Sequence, residues 1–234
     1  MPMIESPDIV LTNAVAENRR FLIRVYGWMA GGLALTAAIA FAVASSETAV
    51  LTLMSNPVLF YGLLIGELVA VFAFTPIAKR FSSSVAAAVF FGYAALNGVT
   101  FSILFLVYTA DSIASTFLVA GGTFAAVSAY GAVTKRDLTG VGHFMLMGLF
   151  GIVIAGVVNL FIGSDAISWV TAFLGVIIFT GLTAYHTQKL LAMNVIGNEG
   201  TDDDAKEAIT GALVLYLDFI NLFLSLLRLM GRRR

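Results

Sequence analysis

The fold class this sequence predicts is an all-α polytopic membrane protein with seven transmembrane helices. Three observations predict it. Hydrophobic residues make up 59% of the 234 and charged residues 12%, where a soluble domain carries roughly 25% charge. The mean hydropathy is +0.95. Apolar runs long enough to cross a hydrocarbon layer of ~30 Å, about 20 residues each, recur along the chain with only short polar breaks between them.

Taken in order, residues 1–20 read as a polar N-terminal tail. They lack a basic n-region and a short apolar core before a small-residue cleavage site, so they are not a signal peptide. Helices are expected over 21–45, 51–76, 84–108, 112–134, 142–163, 167–191 and 207–229. The breaks carry turn and helix-end chemistry: Ser45-Ser46-Glu47, Pro76 through Lys79-Arg80, Asp111-Ser112, Lys135-Arg136-Asp137 and Gly163-Ser164-Asp165. Only the connection from Gly197 to Glu207 is long and charged. No linker divides the chain, so 21–230 is read as one transmembrane domain and 231–234 as a basic tail.

Basic residues orient the bundle. Arg19, Arg20, Arg24, Lys79, Arg80, Lys135, Arg136 and Lys189 fall at alternate helix ends, and the opposite ends carry Glu47, Asp111 and Asp165. The positive-inside rule then places the N-terminus in the cytoplasm, in a chain expected in a bacterial inner membrane. The cluster Arg228, Arg232, Arg233 and Arg234 is the exception. Either the last helix spans and the cluster lies outside, or the last segment is re-entrant with both termini inside.

Charge and composition remove several classes of function. A net charge of −1, with no basic patch interleaved with aromatics, argues against nucleic acid as a partner. Cysteine is absent, which removes disulfides, thiolate catalysis and cysteine metal sites. Intramembrane zinc hydrolases need several histidines and this chain has two. No strained Gly-x-Ser-Gly turn is present for a serine intramembrane protease, no lysine lies in the last helix for a retinal Schiff base, and Asp218 has no obvious second aspartate to form a protease pair. The chain is therefore read as a non-enzyme without a cofactor.

Function in such proteins concentrates at polar groups held inside the bilayer, where one charge costs at least ~2.5–3.5 kcal/mol on insertion scales. Asp218 stands in the middle of the otherwise greasy stretch Leu213–Leu227, sharing a stripe with Gly211, Asn221 and Ser225. That stripe must face protein or water, so the last helix belongs where the rest of the bundle surrounds it. His186 precedes the loop into that helix, and antiparallel packing would bring it near Asp218; its other reading is a histidine favoured by a helix C-terminus. Glu67 lies inside the second helix, either functional or hydrogen-bonded to a neighbouring helix. His143 reads as a wet interfacial residue, Asn97 and Asn159 as interhelical hydrogen-bonding groups, and the pairs Gly27/Gly31 and Gly62/Gly66 as close helix packing at most.

Leu215-Tyr-Leu-Asp-Phe-Ile-Asn-Leu-Phe223 with Leu226-Leu-Arg228, Ala184-Tyr-His-Thr-Gln188 before it, Glu67 and the start Val25-Tyr-Gly-Trp-Met29 together resemble the Bax inhibitor-1/YccA family of membrane proteins. The resemblance runs from about Phe21 onward. It implies six helices wrapped around a central, spanning C-terminal helix, and a pH-sensitive calcium leak. In bacterial members two aspartates share a proton near the cytoplasmic side and gate the pore. Asp218 matches one of them, while His186 stands where the pattern Tyr-Asp-x-x-Gln has the other. The family's partner arginine in the second helix has only Lys79 or Arg80 as counterparts.

That exchange changes the chemistry. Two close carboxylates repel and hold a proton between them, whereas a histidine, titrating near ~6.5 in water, attracts a carboxylate once protonated. Loss of a carboxylate also removes a hard oxygen from an ion that takes about 6–8 of them. The sequence-level expectation is a pH-responsive cation leak for Ca²⁺ or H⁺. Asp218 lines the path and gives transient Ca²⁺ contact, His186 acts as the proton-sensitive gate, and Glu67 and Asn221 give support. The alternative is a non-conducting regulator in the bilayer that binds other membrane proteins, such as a protease or secretion complex. A secondary transporter is disfavoured by the lack of a detectable inverted repeat.

Overall fold

In a computed structural model the described residues are 7–234, with side chains from residue 14 onward. They form nine helices: α1 (Pro7–Ala44), α2 (Glu47–Ser55), α3 (Pro57–Arg80), α4 (Ser83–Phe101), α5 (Leu104–Val107), α6 (Ala110–Val133), α7 (Thr139–Ile162), α8 (Asp165–Met193) and α9 (Asp202–Met230). Seven spans are long and apolar enough to cross a membrane, α4 and α5 counting together as one of them.

The expected boundaries move in several places: the helix expected over 84–108 is broken between α4 and α5, α9 begins at Asp202 inside the expected loop of 197–207, and three further shifts stand at α1, α2 and α3. The first helix begins at Pro7, well before residue 21, and Glu17, Asn18 and Arg20 along it find partners in the segment that joins α8 to α9. The second expected helix is two: Asn56 caps α3 by accepting from the Leu59 N–H, and Pro57 at its first turn cannot extend α2. Pro76 does not end α3, which runs on to Arg80, as membrane helices tolerate a proline whose freed carbonyl finds other partners.

Lipid tails are as apolar as leucine, so packing and polar contacts, not hydropathy, decide which helix lies inside. That helix is α9: its buried set runs from Asp204 through Leu227. It packs on α8, α1, α6 and α4 and touches α3, while α7 packs mainly on α8. Of the two glycine pairs noted in the sequence only Gly31 meets another helix, at the Phe91 ring of α4, and the closest approaches are made by other glycines. Gly27, Gly62 and Gly66 face open space, whereas a Cβ on Gly131 would collide with the Ala184 backbone and one on Gly142 with the Tyr185 ring.

The last helix is unbroken over 29 residues, about 43 Å at 1.5 Å per residue. There is no turn to make it re-entrant. Its tail ends beside the start of α6, with Thr109 N–H donating to Arg232 O at 3.1 Å and Arg234 N–H donating to Val107 O at 3.0 Å. Tail and Lys135-Arg136 therefore lie at opposite ends of α6.

Candidate functional site

The loop between α8 and α9 sets the register of the two helices that carry the site. Gly197 and Gly200 adopt φ of 94° and 84°, the left-handed region that glycine enters without strain. Thr201 caps α9 by accepting from the Asp204 N–H at 3.2 Å. Asp204 then accepts from Arg24 Nη2 at 2.7 Å and from the Gly200 N–H at 2.9 Å. Arg20 grips Glu199 through Nε and Nη2, each at 2.8 Å to a different oxygen. That Arg20 contact, with Arg24 in support, holds the Glu199 carboxyl below its ordinary 4.5 against a smaller opposing effect of burial.

With the loop fastened to α1, α8 and α9 run antiparallel and His186 meets Asp218. Nδ1 of His186 lies 2.7 Å from Oδ2 of Asp218, with side chains 18% and 5% exposed. A contact of that length holds one proton, carried by the ring or by the carboxyl. Among the described residues His186 is the one basic side chain within ion-pairing distance of Asp218. The Tyr185 ring lies 5.2 Å from the imidazole, and Lys189 Nζ sits 5.6 Å from the Tyr185 ring centroid.

The nearby hydroxyls on α8 are turned back onto their own helix. Thr183 donates to Phe179 O at 2.7 Å and Thr187 to Thr183 O at 2.8 Å, leaving Thr187 a longer 3.4 Å contact with Ser128 on α6. Ser225, also on the α9 stripe, is buried against Gly175 of α8.

The other residues singled out by sequence lie elsewhere. Asn221 donates to Leu217 O of its own helix at 2.8 Å and makes no hydrogen bond to Asp218. Glu67 accepts from the Thr100 hydroxyl at 2.5 Å, tying α3 to α4. Asn97 likewise bonds its own helix at Tyr93 O, while Asn159 does bridge helices, donating to Ser168 Oγ at 2.8 Å. His143 is exposed at the start of α7. No group of three or more histidine, aspartate or glutamate side chains with metal-holding geometry occurs among the described residues.

Sequence reasoning missed a second buried polar contact. Thr36 of α1 and Tyr216 of α9 are joined hydroxyl to hydroxyl at 2.7 Å, and the fully buried Tyr216 ring meets Phe90 and Tyr93 edge to face at 5.9 Å each. The only signal was a tyrosine two residues before Asp218, hidden because a phenol on a greasy helix reads as apolar.

Comparisons with known proteins show the family of this chain. The family model described as "Inhibitor of apoptosis-promoting Bax1" matches residues 18–234. The chain is 48% identical over 220 residues to the inner membrane protein YbhL of Escherichia coli K12, covering 94% of each. It is 40% identical over 230 residues to an uncharacterized protein of Borreliella burgdorferi, covering 98% of this chain and 97% of the other. An uncharacterized membrane protein of Streptococcus pyogenes is 35% identical over 226 residues, with coverage of 96% and 97%.

Proposed function

The chain belongs to the Bax inhibitor family of integral membrane proteins, and on that premise we propose that it is a proton-responsive cation leak, for Ca²⁺ or H⁺, whose path runs along the α8/α9 interface. The observation that carries this reading is the 2.7 Å contact between His186 and Asp218, a buried carboxylate paired with the one side-chain type that gains a charge near neutral pH. Asp218 is the carboxylate a cation meets, and His186 is its latch. The basic end of the bundle, the one with Lys79-Arg80 and Lys135-Arg136, faces the cytoplasm by the positive-inside rule, and the membrane is a bacterial inner membrane, as it is for the Escherichia coli relative.

The latch works by charge. With the ring protonated and the carboxylate ionised, an ion pair in low dielectric holds α8 against α9. Loss of the ring proton leaves an ionised carboxylate held by a single hydrogen bond without its counter-charge, so the path opens more readily when the ring is neutral. Replacement of His186 by aspartate keeps the direction of this response but steepens it, since two carboxylates close only when they share a proton and repel once both are ionised. Ca²⁺ and H⁺ flux into liposomes containing the purified protein, measured across pH, is the test. The expected result is flux that falls in Asp218→Asn and that rises more steeply with pH in His186→Asp than in the wild type. Wild-type flux equal to that of Asp218→Asn at every pH ends the channel reading and leaves the pair a helix-joining contact in a membrane regulator.

A further inference from the structure

A cavity of about 630 Å³ lies at the basic end of the bundle between α3, α8 and α9. Lys79 of α3 and Asp203, Lys206 and Glu207 of α9 line it, and Asp203 is 77% exposed, so water reaches the rim. Its floor is apolar: Leu190 of α8 and Gly211 of α9. A Cβ placed on Gly211 would lie 2.9 and 3.2 Å from the two Leu190 methyl carbons and 3.4 Å from Val25 Cγ2. Leu190 and the fully buried Val25 therefore close over Gly211, where a side chain would need Leu190 to shift.

The residues below this floor are the proposed latch. At 100° per residue, Glu207, Gly211 and Asp218 fall within about 40° on α9, and Met193, Leu190 and His186 within about 60° on α8. The two stripes face each other. His186 is one turn deeper than Leu190, about 6 Å, and Asp218 is seven residues deeper than Gly211, about 10 Å.

We propose that Leu190 is the hydrophobic gate between this basic-end vestibule and the His186–Asp218 pair. Two leucine methyls over a bare glycine leave a constriction that water does not wet, and a dewetted constriction stops ions as well. Leu190 is only half-buried, with the vestibule beside it, so a rotamer change into that space uncovers the path without moving backbone. This inference rests on the leak reading for its purpose, but its test does not require conduction.

The chain has no cysteine, so one introduced thiol reports alone. In Asp218→Cys, reconstituted as the full chain, a charged membrane-impermeant thiol reagent applied from the basic end labels slowly. Adding Leu190→Ala raises that rate at least about tenfold, equivalent to 1.4 kcal/mol of eased access. Met147→Ala on the outer face of α7 leaves it slow. Equal rates with leucine and alanine at 190 overturn the gate. Should Asp218→Cys fail to fold, His186→Cys is read in the same way, since it lies on the same far side of Leu190. A rate rise together with absent flux in the wild type and in Leu190→Ala alone, both of which keep His186 and Asp218, retains the gate and rejects the leak, while flux in these two without a rate rise does the reverse.

Discussion

Helices α7 and α9 are both long enough to span the bilayer, and they meet opposite fates. In its most apolar 18-residue stretch α7 has 0% of residues buried, although it is the more apolar of the two, whereas 67% of the corresponding stretch of α9 is buried. Phe150, Leu160 and Phe161 of α7 are 69–87% exposed. The helix with a carboxylate, a tyrosine, an asparagine and a serine is the one enclosed by protein. In lipid a leucine gains little by leaving the surface, while a polar group gains a partner, so polarity and shape draw a helix inward and hydropathy leaves it outside.

The largest expected break in that contrast is Tyr216→Ala. It removes a fully buried ring, its edge contacts with Phe90 and Tyr93 and its bond to Thr36, and is expected to cost ~3–5 kcal/mol in unfolding of the purified protein in detergent. Phe150→Ala on α7 is expected to stay within about 0.5 kcal/mol by the same measurement. Equal losses would mean that both helices are packed in the native protein.

A smaller effect separates glycines that touch protein from those that face outward. Gly131→Ala on α6 drives a methyl into the Ala184 backbone and is expected to cost about 1–3 kcal/mol. Gly151→Ala on α7 meets nothing within 4 Å and gains about 0.5–1 kcal/mol from helix propensity alone. Thermal unfolding of the two variants side by side reads the difference, and a destabilised Gly151→Ala would place a partner on the α7 face.

The smallest effect concerns the fastening of α9 rather than its packing. Arg20 and Arg24 hold Glu199 below its ordinary 4.5, so the native loop is stabilised by an ionised carboxylate. That contribution is present above 4.5 and is lost as pH falls through the lowered native value. Hydrogen-exchange protection in 194–201, corrected for the intrinsic pH dependence of amide exchange, is expected to fall on acidification below 4.5 while protection in α7 does not, and Glu199→Gln is expected to abolish the loop's pH response. An unchanged response in Glu199→Gln would assign the clamp to Asp204 instead.

How much of this was legible beforehand varies by residue. Span lengths, the number of spans and the polar turns follow directly from composition and from Pro, Gly, Ser and Asp at the breaks. The Asp218 stripe is visible because one charge in a leucine run has no solvent to explain it. Boundaries failed where a local cap competes with hydropathy, as at Asn56-Pro57, or where a partner is distant in sequence, as for Glu17 and Gly197. Glu67 and Asn221 read as supports of Asp218 because a side chain's polarity does not say what it bonds. The tight glycines were equally hidden, since Gly62 and Gly131 differ only in what stands opposite.

By itself the sequence determined that this chain lives in a membrane, how many times it crosses and where its costly charges lie, because the bilayer acts on each segment separately through length and hydropathy. Only the tertiary structure decided that α9 is enclosed while α7 is not, that His186 Nδ1 reaches Asp218 Oδ2 at 2.7 Å, and that Leu190 closes over Gly211 above them. Those are relations between helices, set by the shape of facing side chains and by the pairing of polar groups across a gap, and a solvent as apolar as the chain itself cannot dictate them one segment at a time.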